Sequence, residues 1–195
     1  MLMDGEKMDD REFLQDYFAR IATALTLDRN LEDKTRATRD IWLSCNDAGG
    51  RVIFVGNGGS AAISSHLAID LSKNAGVPGI CFSDSAMITC LANDFGFENW
   101  ISAAVRIYGR PEDCLVAISS SGRSSNILSA VDCAKDIGMK VITLSGMVPD
   151  NPLREKGEVN FWVNSRAYNI VETAHQFFLM SVIDLIIGKA EYPAS

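Results

Sequence analysis

From Arg51 onward the chain alternates short β-rich runs with helix-forming segments, and this alternation restricts the fold more than any other feature. The runs are Val52 to Val55, Gly79 to Phe82, Cys114 to Ile118, Lys140 to Leu144 and Val159 to Val163. Two stretches, Val52-Ile53-Phe54-Val55 and Leu115-Val116-Ala117-Ile118, are apolar at every position. A strand with no polar side is covered on both faces, the condition of a parallel sheet held between two helical layers. Helices are expected over Ser60 to Asn74, Ser124 to Ile137 and Tyr168 to Ile187, with Gly76, Gly109-Arg110-Pro111, Gly138 and Pro149 in the connections.

The segment from about Asp9 to Asn46 precedes this pattern and is rich in helix formers, so one long helix or two are expected there. Phe13, Tyr17, Ile21 and Leu25 recur at four-residue steps and form one apolar stripe. Such a stripe needs a surface to cover, and a helix from another subunit is a natural one. The organisation expected is a helical region over residues 1–48 and an α/β domain over 49–195, without repeats or linkers.

Composition narrows the function. The formal net charge of −7, with no Lys/Arg block, lacks the footprint of a nucleic-acid binder. No run reaches the roughly 18 to 20 uninterrupted apolar residues of a membrane span, and the acidic start Asp4, Glu6, Asp9, Asp10 does not read as a leader. The expectation is a cytoplasmic chain with neither nucleic acid nor membrane as partner. The cysteines Cys45, Cys81, Cys90, Cys114 and Cys133 are widely spaced without a CxxC and read as reduced core residues.

Ligands of open parallel sheets bind beyond the carboxyl ends of the strands, where strand order reverses. Two turns there stand out. Gly56-Asn57-Gly58-Gly59-Ser60 follows the first strand and opens a helix, letting backbone amides approach an anion; a tight connection with no ligand has the same composition. Ser119-Ser120-Ser121-Gly122-Arg123-Ser124 follows the third strand, again before a helix, and offers several hydroxyls to one phosphate, or a capped polar loop. Arg123 would approach that phosphate or face solvent.

Together with Leu91-Ala92-Asn93-Asp94-Phe95-Gly96 and His66, these turns resemble the sugar isomerase (SIS) domain family, and within it the phosphoheptose isomerases. The resemblance runs from about Arg51 to Ile187. It implies a flavodoxin-like three-layer sandwich with a five-stranded parallel sheet, assembled as a homotetramer with sites between subunits. It implies that Ser119, Ser120, Ser121 and Ser124 hold a substrate phosphate, and that Asn57, Gly58, Gly59, Ser60, Asn93 and Asp94 contact the sugar chain. The implied reaction interconverts sedoheptulose 7-phosphate and a heptose 7-phosphate for surface polysaccharide. A non-catalytic sugar-phosphate sensor or assembly protein, also found in this family, is the alternative.

The catalytic set matches in part. His66 and Asp70 are spaced i, i+4 on one helix, and Glu172 and His175 i, i+3 on the last. Aldose–ketose isomerisation needs a base for the proton beside a carbonyl and a donor for the enediol oxygen, for which a carboxylate and a histidine suffice. The phosphoheptose isomerases place a histidine and, four residues on, a glutamate after the glycine turn, then a glutamine and a histidine eight apart on the last helix; these groups also bind zinc. Here Asp70 stands for the glutamate. Aligning Ile170-Val171-Glu172 with the family's Ile-Gln-Glu puts Val171 and Leu179 in the other two places, with His175 between them on one helical stripe. The expectation is that His175 takes over the histidine role facing His66 and Asp70, with Asp70 as base and Glu172 either beside it or at the helix surface. His66, Asp70 and His175 plus water would form an acceptable zinc set.

Overall fold

The computed structural model describes residues 9–193, and within them a single sheet of five parallel strands lies between two helical layers. The strands are β1 (Val52–Val55), β2 (Gly79–Cys81), β3 (Cys114–Ile118), β4 (Lys140–Gly146) and β5 (Val159–Val163), in the order β2-β1-β3-β4-β5. The helices are α1 (Asp10–Ala24), α2 (Arg29–Asp47), α3 (Gly59–Asn74), α4 (Ser85–Phe95), α5 (Trp100–Tyr108), α6 (Ser125–Ile137) and α7 (Tyr168–Ile187). The sandwich expected from the all-apolar strands is present. Val52 and Phe54 point into one core with α2, α3 and α7, while Ile53 and Val55 point into the other with α4, α5 and α6.

The N-terminal segment forms two helices. Asp28 separates them, its carboxylate accepting from the Leu31 amide at 2.7 Å as the N-cap of α2. The second helix is part of the domain core: Trp42 is fully buried, edge-on to Phe54 at 5.6 Å between ring centroids. By contrast α1 buries no residue, and Phe13, Leu14 and Phe18 are exposed along it.

Two helices, α4 and α5, fill the stretch between β2 and β3 where no helix was expected. The start of α4 is written locally, since Asp84 caps it by accepting from the amides of Ala86 and Met87 at 3.0 Å. The cysteines are all free; Cys45, Cys114 and Cys133 are buried and Cys81 half-buried, but Cys90 lies exposed on α4, so the reading of all five as core residues fails there. By length and composition α7 would cross a membrane; here its apolar residues Ile170, Val171, Phe178, Leu179, Val182 and Ile183 are buried in the core.

The order β2-β1-β3 reverses direction between β1 and β3, so the glycine turn after β1 and the serine turn after β3 emerge side by side.

Candidate active site at the strand-order reversal

The serine turn is held by the ends of the sheet. Ser119 N donates to Leu144 O and Gly146 N to Ser120 O, so the turn continues the β3–β4 ladder before leaving it. Gly122 then takes a φ of +65°, and a Cβ there would collide with the Asn151 side chain, so only glycine fits. The side chains that result are unusual for a helix start. Ser124 occupies the N-cap of α6 but makes no capping bond; its hydroxyl lies 3.0 Å from that of Ser119. The first amides of α6 therefore have no side-chain oxygen on them, and they point toward the turn with the positive end of the helix dipole. Ser120 Oγ is buried without a partner, and Ser121 Oγ accepts from Arg123 N at 3.2 Å. Hydroxyls and uncapped amides gathered at one helix end suit a phosphate. Arg123 itself is exposed and faces Asp150 at 3.8 Å, the solvent-facing alternative.

A reciprocal amide pair joins the two turns. Asn57 Nδ2 donates to Asn126 Oδ1 and Asn126 Nδ2 to Asn57 Oδ1, both at 2.9 Å. Sequence reasoning placed Asn57 at the sugar and passed over Asn126. The signal available was a second amide side chain just inside the helix after the serine turn. Gly58, with φ of +55°, and Gly59 are exposed beside this pair. Ser60 is turned inward and only 3% exposed, packed under Gly56, so it braces the turn and is not a sugar contact as expected. Asn93 and Asp94 are exposed in the last turn of α4, with Asn93 Nδ2 donating to Asp94 Oδ1 at 2.9 Å.

On the other side of the glycine turn, α3 and α7 enclose a cleft of about 400 Å³ lined by Gly59, Ile63, His66, Asn169, Glu172 and Gln176. The Glu172 carboxylate lies against Gly59 so closely that a Cβ there would meet its Oε2 at 2.4 Å. His66 Nδ1 lies 3.1 Å from Gln176 Nε2, and the same amide nitrogen faces Met180 Sδ at 3.7 Å. The cleft face of α7 is thus Glu172 and Gln176, with Met180 one turn further along, packed against the core and touching Gln176.

This corrects the expectation for His175. Val171, His175 and Leu179 form the neighbouring stripe, each fully buried against the sheet. His175 Nε2 donates to Ser145 O at 3.0 Å, while its Nδ1 is buried without a partner. Burial pushes its pKa down to about 4, the Ser145 bond opposing in part, so it is neutral at physiological pH. It neither faces His66 nor titrates in the useful range. Asp70, one turn beyond His66, accepts from Asn74 Nδ2 and does not line the cleft.

Val171 and Leu179, the positions where the resemblance implies an amide and an imidazole, are thus buried behind the cleft, and one residue on from them Glu172 lines it while Met180 lies a turn further along, against Gln176. The set His66, Asp70 and His175 is not assembled, because His175 is behind the helix. Among the described residues no three His, Cys, Asp or Glu side chains converge as metal ligands. Among the described residues the donors in the cleft, one imidazole and one carboxylate, do not make up a zinc ligand set.

The model of the family described as SIS domain matches residues 16–146. The chain belongs to the SIS domain family. Its similarity to a phosphoheptose isomerase of Rhodospirillum rubrum is 44% identity over 105 residues, covering 51% of this chain and 56% of that protein. The aligned part thus spans about half the length of the curated relatives it matches. Among solved structures, the phosphoheptose isomerase GmhA of Neisseria gonorrhoeae superimposes with a TM-score of 0.79 at 27% identity, covering 90% of this chain and 98% of that one. A phosphoheptose isomerase from Francisella tularensis does so with a TM-score of 0.79 at 29% identity, over 93% and 100%. The SIS fold thus spans both the helical region and the α/β core of this chain.

Proposed function

We propose that this SIS domain protein is an aldose–ketose isomerase interconverting sedoheptulose 7-phosphate and a heptose 7-phosphate, for surface polysaccharide precursors in the cytoplasm. The observation that carries the reading is the Asn57–Asn126 amide pair, which sets a phosphate-type turn on one side and an acid–imidazole cleft on the other. A sugar phosphate has the same two ends. Ser119, Ser121, Ser124 and the α6 amides hold the phosphate, and the glycine turn with Asn57 carries the sugar chain across to Glu172 and His66. The similarity to named phosphoheptose isomerases supports this substrate class.

The chemistry assigned is proton transfer. Glu172 takes the proton from the hydroxyl-bearing carbon beside the carbonyl, and His66 hydrogen-bonds the carbonyl oxygen as charge develops on it; the neighbouring hydroxyl gives its proton to that oxygen, and the protonated Glu172 returns its proton to the former carbonyl carbon. The carboxylate role passes from Asp70 to Glu172 because Glu172 lines the cleft and Asp70 does not. Assembly as a homotetramer is part of the proposal, supported by the exposed Phe13, Leu14 and Phe18 of α1 and by Ile69 and Phe177, exposed on the two cleft helices; mass in solution tests it.

The direct test is turnover of sedoheptulose 7-phosphate, with exchange of the transferred proton in deuterated water. Absence of both turnover and exchange would sink the isomerase. Glu172→Gln is expected to lower kcat by about 10² to 10³-fold and Asp70→Asn by less than about tenfold; the reverse ranking returns the base to Asp70. Val171 and Leu179, standing where the resemblance implies a glutamine and a histidine, favour a second reading, a sugar-phosphate sensor. Tight sugar-phosphate binding with no exchange would identify it.

A further inference from the structure

The amide of Gln176 bridges His66 Nδ1 at 3.1 Å and Met180 Sδ at 3.7 Å, and this bridge has a direction. An amide side chain presents either its oxygen or its two N–H groups to a neighbour, and the neighbours decide which. A thioether sulfur only accepts. An amide oxygen turned this way would face the lone pairs of Met180 with no donor between them, whereas the NH2 end gives one hydrogen to sulfur and the other to the imidazole. The NH2 group therefore faces both, and His66 Nδ1 is the acceptor. A neutral imidazole that accepts at Nδ1 carries its proton at Nε2.

We infer that Gln176 is a positioning residue that holds His66 in the Nε2–H tautomer, with Met180 fixing which way the amide points. Its consequence for catalysis rests on the isomerase reading: the Nε2–H is the donor left over for the cleft, where negative charge develops on the substrate oxygen. A neutral imidazole is a sufficient donor for an enediolate, because stabilising that oxygen needs a fixed hydrogen bond and no formal cation. Met180 then has a use that a metal-ligating histidine in its place would not supply. A second imidazole there would offer Gln176 either a donor or an acceptor and leave its orientation undecided.

The test is the tautomer itself, read by long-range proton–nitrogen NMR of 15N-labelled protein. Two histidines are present, and His66→Asn assigns them. The expected result is a neutral His66 protonated at Nε2. Gln176→Glu keeps the volume but replaces the donor by a carboxylate, which can only accept, so it is expected to draw the proton to Nδ1. The buried His175 signal, unchanged, reports an intact fold. In turnover the same variant is expected to lower kcat by about 100-fold with KM within about twofold, whereas a space-filling role would leave both unmoved. A wild-type proton on Nδ1, or a tautomer indifferent to Gln176→Glu, overturns the inference. Should the tautomer behave as expected while no isomerisation occurs, the clamp stands and the isomerase reading fails.

Discussion

The two ends of the sheet treat buried polar atoms in opposite ways. At the amino end, Asp113 is fully buried, and its carboxylate takes the Arg51 amide at 2.8 Å, the Arg51 guanidinium at 2.9 Å and the Arg110 amide at 3.1 Å. At the carboxyl end, Ser120 Oγ, Ser145 Oγ, Asn151 Oδ1 and His175 Nδ1 are buried with no protein partner. Ser124 sits at a helix cap without capping. A saturated network tightens a fold and offers nothing to a ligand; unpaired polar atoms cost stability, and a hydroxyl such as that of Ser120, in the serine turn, is kept where a ligand uses it. The difference marks which end of a symmetric-looking sandwich is the working end.

The sharpest way to break the comparison is at the saturated end. Asp113→Ala leaves the Arg51 and Arg110 groups without their acceptor and is expected to destabilise the domain by about 3 to 5 kcal/mol, with kcat per folded molecule unchanged. Urea unfolding and turnover on the same sample check it. A loss of activity without a loss of stability would erase the distinction between the ends.

The next effect belongs to His175. Its folded pKa of about 4 lies below the ordinary 6.5, so the unfolded chain binds its proton first as pH falls. The stability contribution is complete above about pH 6.5, is lost as pH drops toward 4, and amounts to about 3 kcal/mol over that window. Unfolding free energies measured at pH 7 and pH 4 for the wild type and for His175→Gln, whose amide can still donate to Ser145 O, should show a shallower fall in the variant. Parallel falls would mean His175 is not held neutral.

The smallest effect separates two kinds of helix start. Asp28→Ala removes a working cap and is expected to cost about 1 kcal/mol of stability. Ser124→Ala removes a serine that does not cap, so stability should stay within about 0.5 kcal/mol while KM for the sugar phosphate rises about tenfold. Thermal unfolding and steady-state kinetics separate them, and a stability loss in Ser124→Ala equal to that of Asp28→Ala would reduce the serine turn to a capped loop.

Strands β1 and β3 were legible in residues as plain as Val52-Ile53-Phe54-Val55, because a strand buried on both faces has no polar position to disguise it. The β2 run, Gly79 to Cys81, is short and half-buried at the sheet edge, and there the expected strand overran by one residue, whereas β4 continues two residues past the expected Leu144. The phosphate turn was legible too, since three serines and a glycine before a helix leave few other uses. The helices α4 and α5 were missed, as Asn93-Asp94 and Gly96 within a short span read as a loop motif, though the Asp84 cap announced the first of them. Asn126 was passed over because its partner is 69 positions away in the chain.

The sequence by itself determined the strand pattern, the side of the sheet on which ligands bind, and the two turns that meet there, because each depends on local composition or on the period of apolar residues. The tertiary structure alone decided the phase of α7. Val171, His175, Leu179 and Glu172, Gln176, Met180 are both four-residue stripes, one residue or about 100° apart on the helix surface. Periodicity finds a stripe but does not say which one meets the sheet, and α7 has apolar residues nearly all round, with Phe177 and Leu185 exposed while His175 is buried. Packing against β4 and α3 settled it, placing a histidine in the core and a glutamate and a glutamine at the cleft.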